Sequence, residues 1–378
     1  MAAEKTVIII GGGIGGLTLA LALRQRGVEA RVYEKYDHFQ NHRTGFLIWS
    51  YAIKILERLG VPVSEDGAAL EVMEIYGAKG QFLTSLPVGE VSRESGADSY
   101  EINRLRLISR MSQMVGEQLH VGKDCISIEM DGERAVAHFS DKSQATGDII
   151  VGCDGAKSTV RTFVQPSAKL EMFNAGGWIA VIDQHPADLK PGYHLDFWEP
   201  SVKGGVADIG NGEARWYVGM NGRLPESGRS IKEQILDVVP VVPTILNQCL
   251  ELTSEDQMVP VIGGDLLTSE PWYRERVLLL GDAAHATSPY AGMGACSAIA
   301  DAFLLSELLA TTEDWPAVFE SFENGRKPAA ESIIKESRKN LHLSTGRGIL
   351  KNKIRDWKLG HIPEKAKHQI VSEMVNGR

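Results

Sequence analysis

Cysteine is scarce in this chain, and its spacing excludes several classes of protein. The four cysteines lie far apart, without a CxxC or CxxxxC pair and without a histidine cluster at metal-ligand spacing; they are Cys125, Cys153, Cys249 and Cys296. This spacing argues against a disulfide scaffold, a zinc site and a dithiol redox centre. We therefore expect reduced thiols, no bound metal and a cytoplasmic protein.

Positive charge and long apolar runs are also in short supply. The formal net charge is −9 and the sequence pI is about 5.7, which argues against nucleic acid as the main partner. One uncharged stretch, residues 6–23, has the length of a signal peptide or a short membrane span. Its glycines would weaken a spanning helix, so we expect neither export nor a membrane span.

Glycine, by contrast, is concentrated where a β-branched run, residues 6–10, opens into an apolar helix-forming segment. A buried parallel strand that feeds a crossover helix has this pattern. In the GxGxxG spacing, Gly11 makes the tight turn, Gly13 lets backbone amides approach a pyrophosphate, and Gly16 lets the helix pack close to the strand. A second short strand ends at Glu34, where an acid can bind ribose hydroxyls. The stretch predicts a dinucleotide site.

Two later stretches also join a buried strand to a pair of glycine and aspartate. Residues 148–153 run into Asp154-Gly155, and residues 276–280 run into Gly281-Asp282. A glycine-rich turn after the second pair opens a long apolar helix. Both stretches predict parallel strands of the same domain as the first motif.

Between these motifs the pattern is different. From about residue 169 to 263, short alternating runs are separated by Gly, Pro and Asn turns, which is typical of an antiparallel sheet. A hairpin over residues 71–86 also departs from strand–helix alternation. We assign this hairpin and the antiparallel region to a second domain. The predicted boundaries are 1–68 plus 97–168 plus 264–328 for the nucleotide-binding domain, 69–96 plus 169–263 for the sheet domain, and 329–378 for a C-terminal helical segment.

Two strands of the middle region carry polar residues on one face. His194 and Asp196 alternate with apolar neighbours, and Arg215 and Tyr217 do the same. One face of this sheet is expected to pack on helices and the other to close a pocket. The sequence leaves open which face does which.

Helical spacing predicts the elements that surround these sheets. Residues 101–115 are predicted as one amphipathic helix with Arg104 in its first turn, and residues 315–322 and 327–341 as two separate helices. From Lys335 onward the chain holds 11 Lys/Arg against 4 Asp/Glu. We interpret this tail as solvated basic surface helices rather than as a membrane or partner contact.

The three motifs, in this order and at these distances, resemble the single-component (class A) FAD-dependent monooxygenases, the p-hydroxybenzoate hydroxylase-like family. The resemblance covers nearly the whole chain, whose length is similar to that of short members acting on heteroaromatic compounds, quinolones, anthraquinone-like metabolites or tetracyclines. It implies an α/β fold in which a Rossmann-like, GR2-type FAD-binding domain carries an inserted antiparallel-sheet substrate domain and a C-terminal helix. It also implies hydroxylation of an aromatic or polycyclic small molecule with FAD, NADPH or NADH, and O2, through a flavin C4a-hydroperoxide.

The resemblance implies roles for residues at the motif positions. Pro289 would line the reaction face, and Gly292 would bring the start of the last helix to the isoalloxazine. His194, Arg215 and Tyr217 are candidates for a base or hydrogen-bonding group beside the substrate, with ordinary packing on the sheet as the alternative for each. The residues that would hold FAD are Gly11, Gly13, Gly16, Glu34, Arg43, Arg104, Asp154, Gly155, Asp282, Gly292 and Gly294.

The sequence departs from the family's pattern at three positions. Met293 replaces the usual glutamine of the GQG turn, Cys296 replaces a small residue or asparagine, and Arg106 stands where an acid is common. These changes bear on the polarity of the pocket rather than on FAD binding. We interpret Cys296 as a packed, inert thiol, and His285 as a structural member of its GDAAH turn.

Two alternatives of other kinds stay open. A flavoprotein of the same fold could act as a reductase or a halogenase, although the halogenase WxWxIP signature is absent. A non-enzymatic flavin-binding redox module would instead show a stable partner and no NAD(P)H oxidation. In the leading interpretation the partner is a small-molecule substrate, and the protein is a monomer or homodimer.

Overall fold

The described residues form two large sheets, two three-stranded sheets and a set of helices. The structure is a computed structural model that describes residues 5–38, 44–77, 80–222, 224, 228–239, 243–346 and 348–377. Its strands are β1 (Thr6–Ile10), β2 (Glu29–Tyr33), β3 (Gly45–Ile48), β4 (Gly67–Ala69), β5 (Val72–Gly77), β6 (Phe82–Leu86), β7 (Tyr100–Asn103), β8 (Leu119–His120), β9 (Cys125–Asp131), β10 (Arg134–Phe139), β11 (Gln144–Gly147), β12 (Ile149–Gly152), β13 (Glu171–Ile182), β14 (Tyr193–Glu199), β15 (Val202–Asp208), β16 (Ala214–Met220), β17 (Val259–Asp265), β18 (Tyr273–Arg274) and β19 (Val277–Leu279).

The α-helices connect and cover these strands. They are α1 (Ile14–Gln25), α2 (Ser50–Arg58), α3 (Val88–Glu94), α4 (Arg104–Val115), α5 (Val160–Val164), α6 (Ile231–Val238), α7 (Thr244–Leu252), α8 (Asp282–His285), α9 (Gly294–Leu309), α10 (Trp315–Ser344), α11 (Ile349–Gly360) and α12 (Glu364–Val375).

The first large sheet has six strands in the order β18-β19-β12-β1-β2-β8. The central strand β1 pairs in parallel with β12 and β2, and Val7, Ile8 and Ile9 are fully buried. A β-branched run covered on both faces is what a central parallel strand requires. The helix α1, which follows β1 directly, packs against α9.

The second large sheet has seven strands in the order β17-β13-β16-β15-β14-β5-β6. Its neighbouring strands are antiparallel except for β14 and β5, which are parallel. The hairpin of β5 and β6 thus joins the edge of the sheet formed by the middle region. A three-stranded sheet in the order β3-β7-β4 lies on the polar side of this sheet, where Glu101 of β7 contacts Arg215 of β16. The other three-stranded sheet has the order β11-β10-β9.

The two faces of the seven-stranded sheet have different surroundings. Trp216 belongs to a buried core with Ile235 of α6 and Leu246 of α7. Because side chains alternate along a strand, Arg215 and Tyr217 lie on the opposite face. The structure thereby decides what the sequence left open: the apolar face packs on helices, and the polar face is turned toward β7.

The helix predicted over residues 101–115 begins later than expected. Residues Tyr100–Asn103 form β7, which pairs with β3 and β4. The Asn103 side chain then accepts a hydrogen bond from the backbone N–H of Leu105 at 3.0 Å, which caps α4. Strand pairing with distant residues overrides the helical spacing here, and Arg104 becomes the first residue of the helix.

The two helices predicted over residues 315–322 and 327–341 are one helix, α10, with Pro328 inside it. Proline removes one hydrogen bond from a helix interior. Here buried residues on both sides of the proline, Phe322 and Ile334 among them, pack against the core and keep the two halves in one continuous helix. Tertiary packing therefore outweighs the local break.

Two expectations concern the chain as a whole. Among the described residues, helices of sufficient length and apolarity to cross a bilayer are absent. The division into three domain parts at the boundaries given above stays a prediction.

Candidate active site

A groove of about 430 Å³ opens at the carboxyl ends of β1, β12 and β19. Loops at this edge of a parallel sheet are where such folds bind ligands. The groove brings together parts of the chain that are far apart in sequence; among its lining residues are 10–15, 33–36, 104, 105, 123–125, 153–155, 280–282, 294 and 295.

The glycines of the first turn serve two purposes. Gly11 has a φ of +107°, and a Cβ there would lie 2.4 Å from the carbonyl oxygen of Cys153. A Cβ on Gly16 would lie 2.0 Å from the carbonyl oxygen of Gly11. Within the described part of the chain, a Cβ placed on Gly13 meets no atom within 4 Å. Gly11 and Gly16 therefore permit close packing, whereas Gly13 leaves room for an anion at the N-terminus of α1.

Glu34 is fixed in the wall of the groove just after β2. Its Oε2 accepts a hydrogen bond from the backbone N–H of Gly12 at 2.7 Å, and its Oε1 accepts one from that of Tyr36 at 3.1 Å. The residue is 8% exposed. A carboxylate held in this way has lone pairs left for ribose hydroxyls, and the binding of ribose by Glu34 stays a prediction.

Asp154 organises the turn that follows β12. Its carboxylate accepts hydrogen bonds from the Ser158 hydroxyl at 2.5 Å and from the backbone N–H of Thr159 at 2.7 Å. Arg161 donates to the carbonyl oxygen of Ala283 at 3.1 Å and so ties this turn to α8. Burial raises the pKa of Asp154 and lowers that of Arg161.

Asp282 and Arg104 line the same groove as the glycine turn. The side chain of Asp282 is open to the groove but surrounded by protein, and this burial raises its pKa although His285 and Arg104 lower it. Burial lowers the pKa of Arg104, while Asp282 and Glu34 raise it. The two residues place a carboxylate and a guanidinium on the groove surface, where they can hold hydroxyl and phosphate groups.

The last glycine-rich turn lies beside the groove and the seven-stranded sheet. Pro289 begins a single helical turn that ends at Gly292, where φ is +64°. Gly294 begins α9 and lines the groove. The Tyr290 hydroxyl lies 3.1 Å from the position of a Cβ on Gly219, so its ring packs on β16. The sequence did not single out Tyr290.

A buried acid that the sequence did not single out holds α8 and α9 together. Asp301, 0% exposed, accepts hydrogen bonds from Arg326 Nε at 2.5 Å and from the backbone N–H of Gly281 at 3.1 Å. The Nε2 atom of His285 lies 2.6 Å from the same carboxylate. His285 is thus positioned as a structural residue. The available signal was an acid within an apolar helix.

Two of the three departures from the family's pattern, at Cys296 and Arg106, have local explanations. Burial raises the pKa of the Cys296 thiol to about 12, and its Sγ accepts a hydrogen bond from the backbone N–H of Trp49 at 3.4 Å. Arg106 donates to the carboxylate of Glu213 at 3.0 Å. Arg43 lies outside the described residues.

The polar face of the seven-stranded sheet carries a buried network of charges. The two ring nitrogens of His194 lie 2.7 Å from Glu101 Oε1 and 3.1 Å from Asp196 Oδ1. Arg215 donates to Glu101 from Nε at 2.7 Å and from Nη2 at 2.8 Å. The Tyr217 hydroxyl donates to Asp196 Oδ1. The structure thus brings His194, Arg215 and Tyr217 together through two carboxylates.

These contacts set the protonation states in the network. Burial alone would raise the pKa of Glu101, but Arg215 and His194 lower it to about 2. Lys203, 2.9 Å from Asp196 Oδ2, likewise holds the pKa of Asp196 well below its usual range despite burial. Burial and Asp196 raise the pKa of Tyr217 well above its usual value. Both acids are therefore ionised and the phenol neutral near pH 7.

Sequence reasoning missed Glu101 and Lys203. Glu101 stands in the segment that was predicted to be helical, and Lys203 lies at the start of β15, just after the turn at Pro200 and Ser201. The alternation that placed His194 and Arg215 on one face gives no information about partners on other elements. Glu101 is far in the chain from both His194 and Arg215, so no local pattern indicates these contacts.

Comparison with protein families gives one match over most of the chain. The family model described as "FAD binding domain" matches residues 4–337. This range contains all three glycine and aspartate motifs that line the groove.

Known proteins of similar length are also related. An aurachin C monooxygenase/isomerase of Stigmatella aurantiaca is 28% identical over 381 residues, covering 99% of this chain and 96% of that protein. A FAD-dependent urate hydroxylase of Mycolicibacterium vanbaalenii is 27% identical over 359 residues, covering 89% of this chain and 88% of that protein. The crystal structure of Klebsiella pneumoniae HpxO complexed with FAD and uric acid has a TM-score of 0.92 at 20% identity, covering 100% and 98%, and shares the fold.

Proposed function

This chain belongs to the FAD-binding-domain family of flavoprotein monooxygenases, and we propose that its substrate is an aromatic or polycyclic small molecule bound beside the polar face of the seven-stranded sheet. The family, the fold class and the dependence on FAD that the three motifs predict are thereby confirmed. The enzyme is an FAD-dependent monooxygenase that uses NAD(P)H and O2. The choice of substrate and the residue roles below are proposals.

The groove fits FAD at the level of its backbone. Gly13, Gly155 and Gly292 each leave open space where a Cβ would otherwise project, within the part of the chain that is described. We propose that the residues holding FAD are those predicted, Gly11, Gly13, Gly16, Glu34, Arg43, Arg104, Asp154, Gly155, Asp282, Gly292 and Gly294. Bound FAD supplies the redox chemistry between NAD(P)H, O2 and the substrate.

The N-terminus of α9 favours negative charge in this site. The helix has 16 residues and begins at Gly294, on the groove surface. Its free backbone N–H groups and its dipole favour negative charge beside that end. Pro289 and Gly292, in the preceding turn, would lie next to the reacting ring system and limit the access of water.

Among the polar residues of the seven-stranded sheet, we propose Tyr217 as the one that contacts the substrate. It is half-buried, whereas His194 and Arg215 are buried and already hydrogen-bonded to carboxylates. The Tyr217 hydroxyl donates to Asp196 and also lies 3.3 Å from His194 Nε2, so its oxygen keeps one lone pair that can accept a hydrogen bond from a substrate hydroxyl. Tyr217 is thus the proposed substrate contact.

His194 and Arg215 are proposed as positioning residues rather than as the base. Arg215 holds Glu101, which holds His194. His194 contacts Asp196, and Asp196 fixes the direction of the Tyr217 hydroxyl. Since the pKa of Asp196 is held well below its usual range, this acid does not keep a substrate proton near pH 7. The network orients and polarises a substrate hydroxyl.

We further propose a cytoplasmic monomer or homodimer. Cys125, Cys153, Cys249 and Cys296 are free cysteines, as expected for a reducing compartment.

The experiment that tests this function measures NAD(P)H consumption in air by the purified yellow protein with a panel of phenolic, heteroaromatic and tetracycline-like compounds. We expect one class to stimulate consumption and to gain one oxygen atom by mass. Tyr217→Phe should keep its flavin but form less product, whereas Tyr273→Phe, whose ring packs on Phe319, should behave as wild type. A flavin-loaded protein that never consumes NAD(P)H with any compound would contradict the proposal.

A further inference from the structure

The helix α11, near the C-terminus, exposes three of its apolar residues and buries two of its polar ones. Leu350 is 72% exposed, Ile354 48% and Trp357 63%. In contrast, Asn352 is 7% exposed and Arg355 6%. A surface helix normally has the opposite arrangement. The outward face of α11 is therefore apolar, as is typical of a surface that binds another molecule.

Contacts of the inward face fix the orientation of α11, so the folded protein keeps the apolar residues on the outside. Arg355 donates hydrogen bonds to the carbonyl oxygens of Trp198 at 3.2 Å and Ser344 at 3.3 Å. Leu359, one turn further along, packs on a small core that contains Leu83 and Trp198. Rotation of α11 to bury its apolar face would break these contacts.

The three apolar residues form one stripe with positive charge on both sides. At 100° per residue, Leu350, Ile354 and Trp357 fall within an arc of about 60°. Exposed Lys353 lies on one side of this arc, and exposed Lys351 and Lys358 lie on the other. An apolar stripe containing tryptophan, flanked by lysines that can extend to headgroups, is typical of helices that lie in a membrane interface.

In place of the solvated surface expected from the sequence, we propose that α11 docks the protein on an anionic lipid surface, with the helix lying along it. The helix has 12 residues, about 18 Å, and would insert one face rather than span the bilayer. The protein's net charge of −9 would oppose such a surface, whereas the lysines of α11 are placed beside the apolar stripe to attract it.

A second copy of the chain fits this face less well. Two copies meeting by a two-fold axis would bring the same lysines together, which repel each other. The three side chains expose on the order of 300–400 Å², below the roughly 800 Å² per partner of a standard protein interface. Lipid headgroups of negative charge satisfy both the stripe and the lysines.

The test uses the full-length, flavin-loaded protein and vesicle flotation. Vesicles of phosphatidylcholine and phosphatidylglycerol in equal parts should carry the protein, and pure phosphatidylcholine vesicles should carry about tenfold less. Binding should weaken when salt rises from about 0.1 M to 1 M, because the Debye length falls from about 10 to 3 Å. Binding to phosphatidylcholine alone, equally strong and independent of salt, would overturn the proposal.

Variants locate the contact. The triple variant Leu350→Ser, Ile354→Ser, Trp357→Ser should lose vesicle binding at least about tenfold, while its melting temperature and NAD(P)H oxidation stay as in wild type, because these side chains are exposed. Ile126→Ser, which alters a 56% exposed residue of β9, is the matched control and should bind as wild type. Failure of the wild type to bind, or a concentration-dependent dimer abolished by the triple variant, would refute a lipid contact without affecting the proposed reaction.

Discussion

Arg215 donates two hydrogen bonds to the carboxylate of Glu101, at 2.7 and 2.8 Å, and both residues are buried. Glu101 lies on β7 of the three-stranded sheet and Arg215 on β16 of the seven-stranded sheet. Gly45 of β3 makes this possible, since a Cβ there would lie 2.6 Å from the Arg215 side chain. The pair joins two sheets beside the proposed substrate site.

Removal of the Glu101 charge should therefore be costly. Glu101→Gln leaves Arg215 buried without its counter-charge, and we expect a loss of about 3–5 kcal/mol in the free energy of unfolding. Urea titration measures it. Glu65→Gln, which removes an exposed partner of Arg110, should cost less than about 1 kcal/mol. Equal effects of the two substitutions would contradict the role assigned to the buried pair.

The same pair predicts a dependence of stability on acid pH. The pKa of Glu101 is lowered to about 2, so its stabilising contribution is complete above the unfolded value near 4.5 and declines as pH falls toward 2. The difference in stability between wild type and Glu101→Gln should be constant from about pH 5 to 6. It should decline at higher pH, because burial lowers the pKa of His194 but Asp196 and Glu101 raise it overall, so the stabilisation of protonated His194 by Glu101 is lost as that proton leaves. The difference should also shrink below about pH 4.5, as unfolding curves at a series of pH values will show.

The glycines of the first turn should separate folding from cofactor binding. Gly16→Ala places a Cβ about 2.0 Å from a carbonyl oxygen, so we expect a loss of about 2–4 kcal/mol in unfolding free energy. Gly13→Ala meets open space and should change the stability of the flavin-free protein by less than about 1 kcal/mol while weakening FAD retention. Flavin absorbance after gel filtration reports retention. A Gly13→Ala protein with wild-type FAD retention would refute the placement.

Glu199 should make the protein less stable as pH rises from about 4.5 to 7. It is 4% exposed, and burial raises its pKa to about 7, although Arg355 lowers it and Asp356 raises it further. Between about pH 4.5 and 7 the unfolded chain releases this proton while the folded chain keeps it, so folding loses stability as pH increases. Glu199→Gln should remove this loss and gain on the order of 1–3 kcal/mol at pH 8 relative to pH 5. Thermal unfolding at the two pH values measures it, and parallel pH profiles would contradict it.

Arg161 links the turn after β12 to α8, and its replacement should lower stability and weaken the binding of FAD. Arg161→Lys keeps the charge but loses the planar fork that reaches the carbonyl oxygens of Ala283 and Ala156. We expect a loss of about 1–3 kcal/mol in unfolding free energy and faster release of FAD. Arg274→Lys, on an exposed residue, serves as control. Unchanged FAD release would show that the two turns hold the groove without this link.

Much of the fold and of the groove could be predicted because the signals are local. The strand, turn and helix around Gly11 are specified within about twenty residues, and the β-branched run identifies a buried parallel strand. The pairs Asp154-Gly155 and Gly281-Asp282 each follow such a strand in the same way. Parallel strands in one sheet end at one edge, so these motifs meet without any further information.

What the sequence by itself determined, then, is the family, the dinucleotide fingerprint and the alternation that puts His194 and Arg215 on one face. Only the tertiary structure decided that the polar face is buried against β7, because the partner Glu101 is 93 residues from His194 and 114 from Arg215. It also decided that α11 turns its apolar stripe outward, since the contacts of Arg355 with Trp198 fix the helix from the opposite side. Contacts between elements distant in the chain leave no periodic signal in sequence, and packing alone selects them.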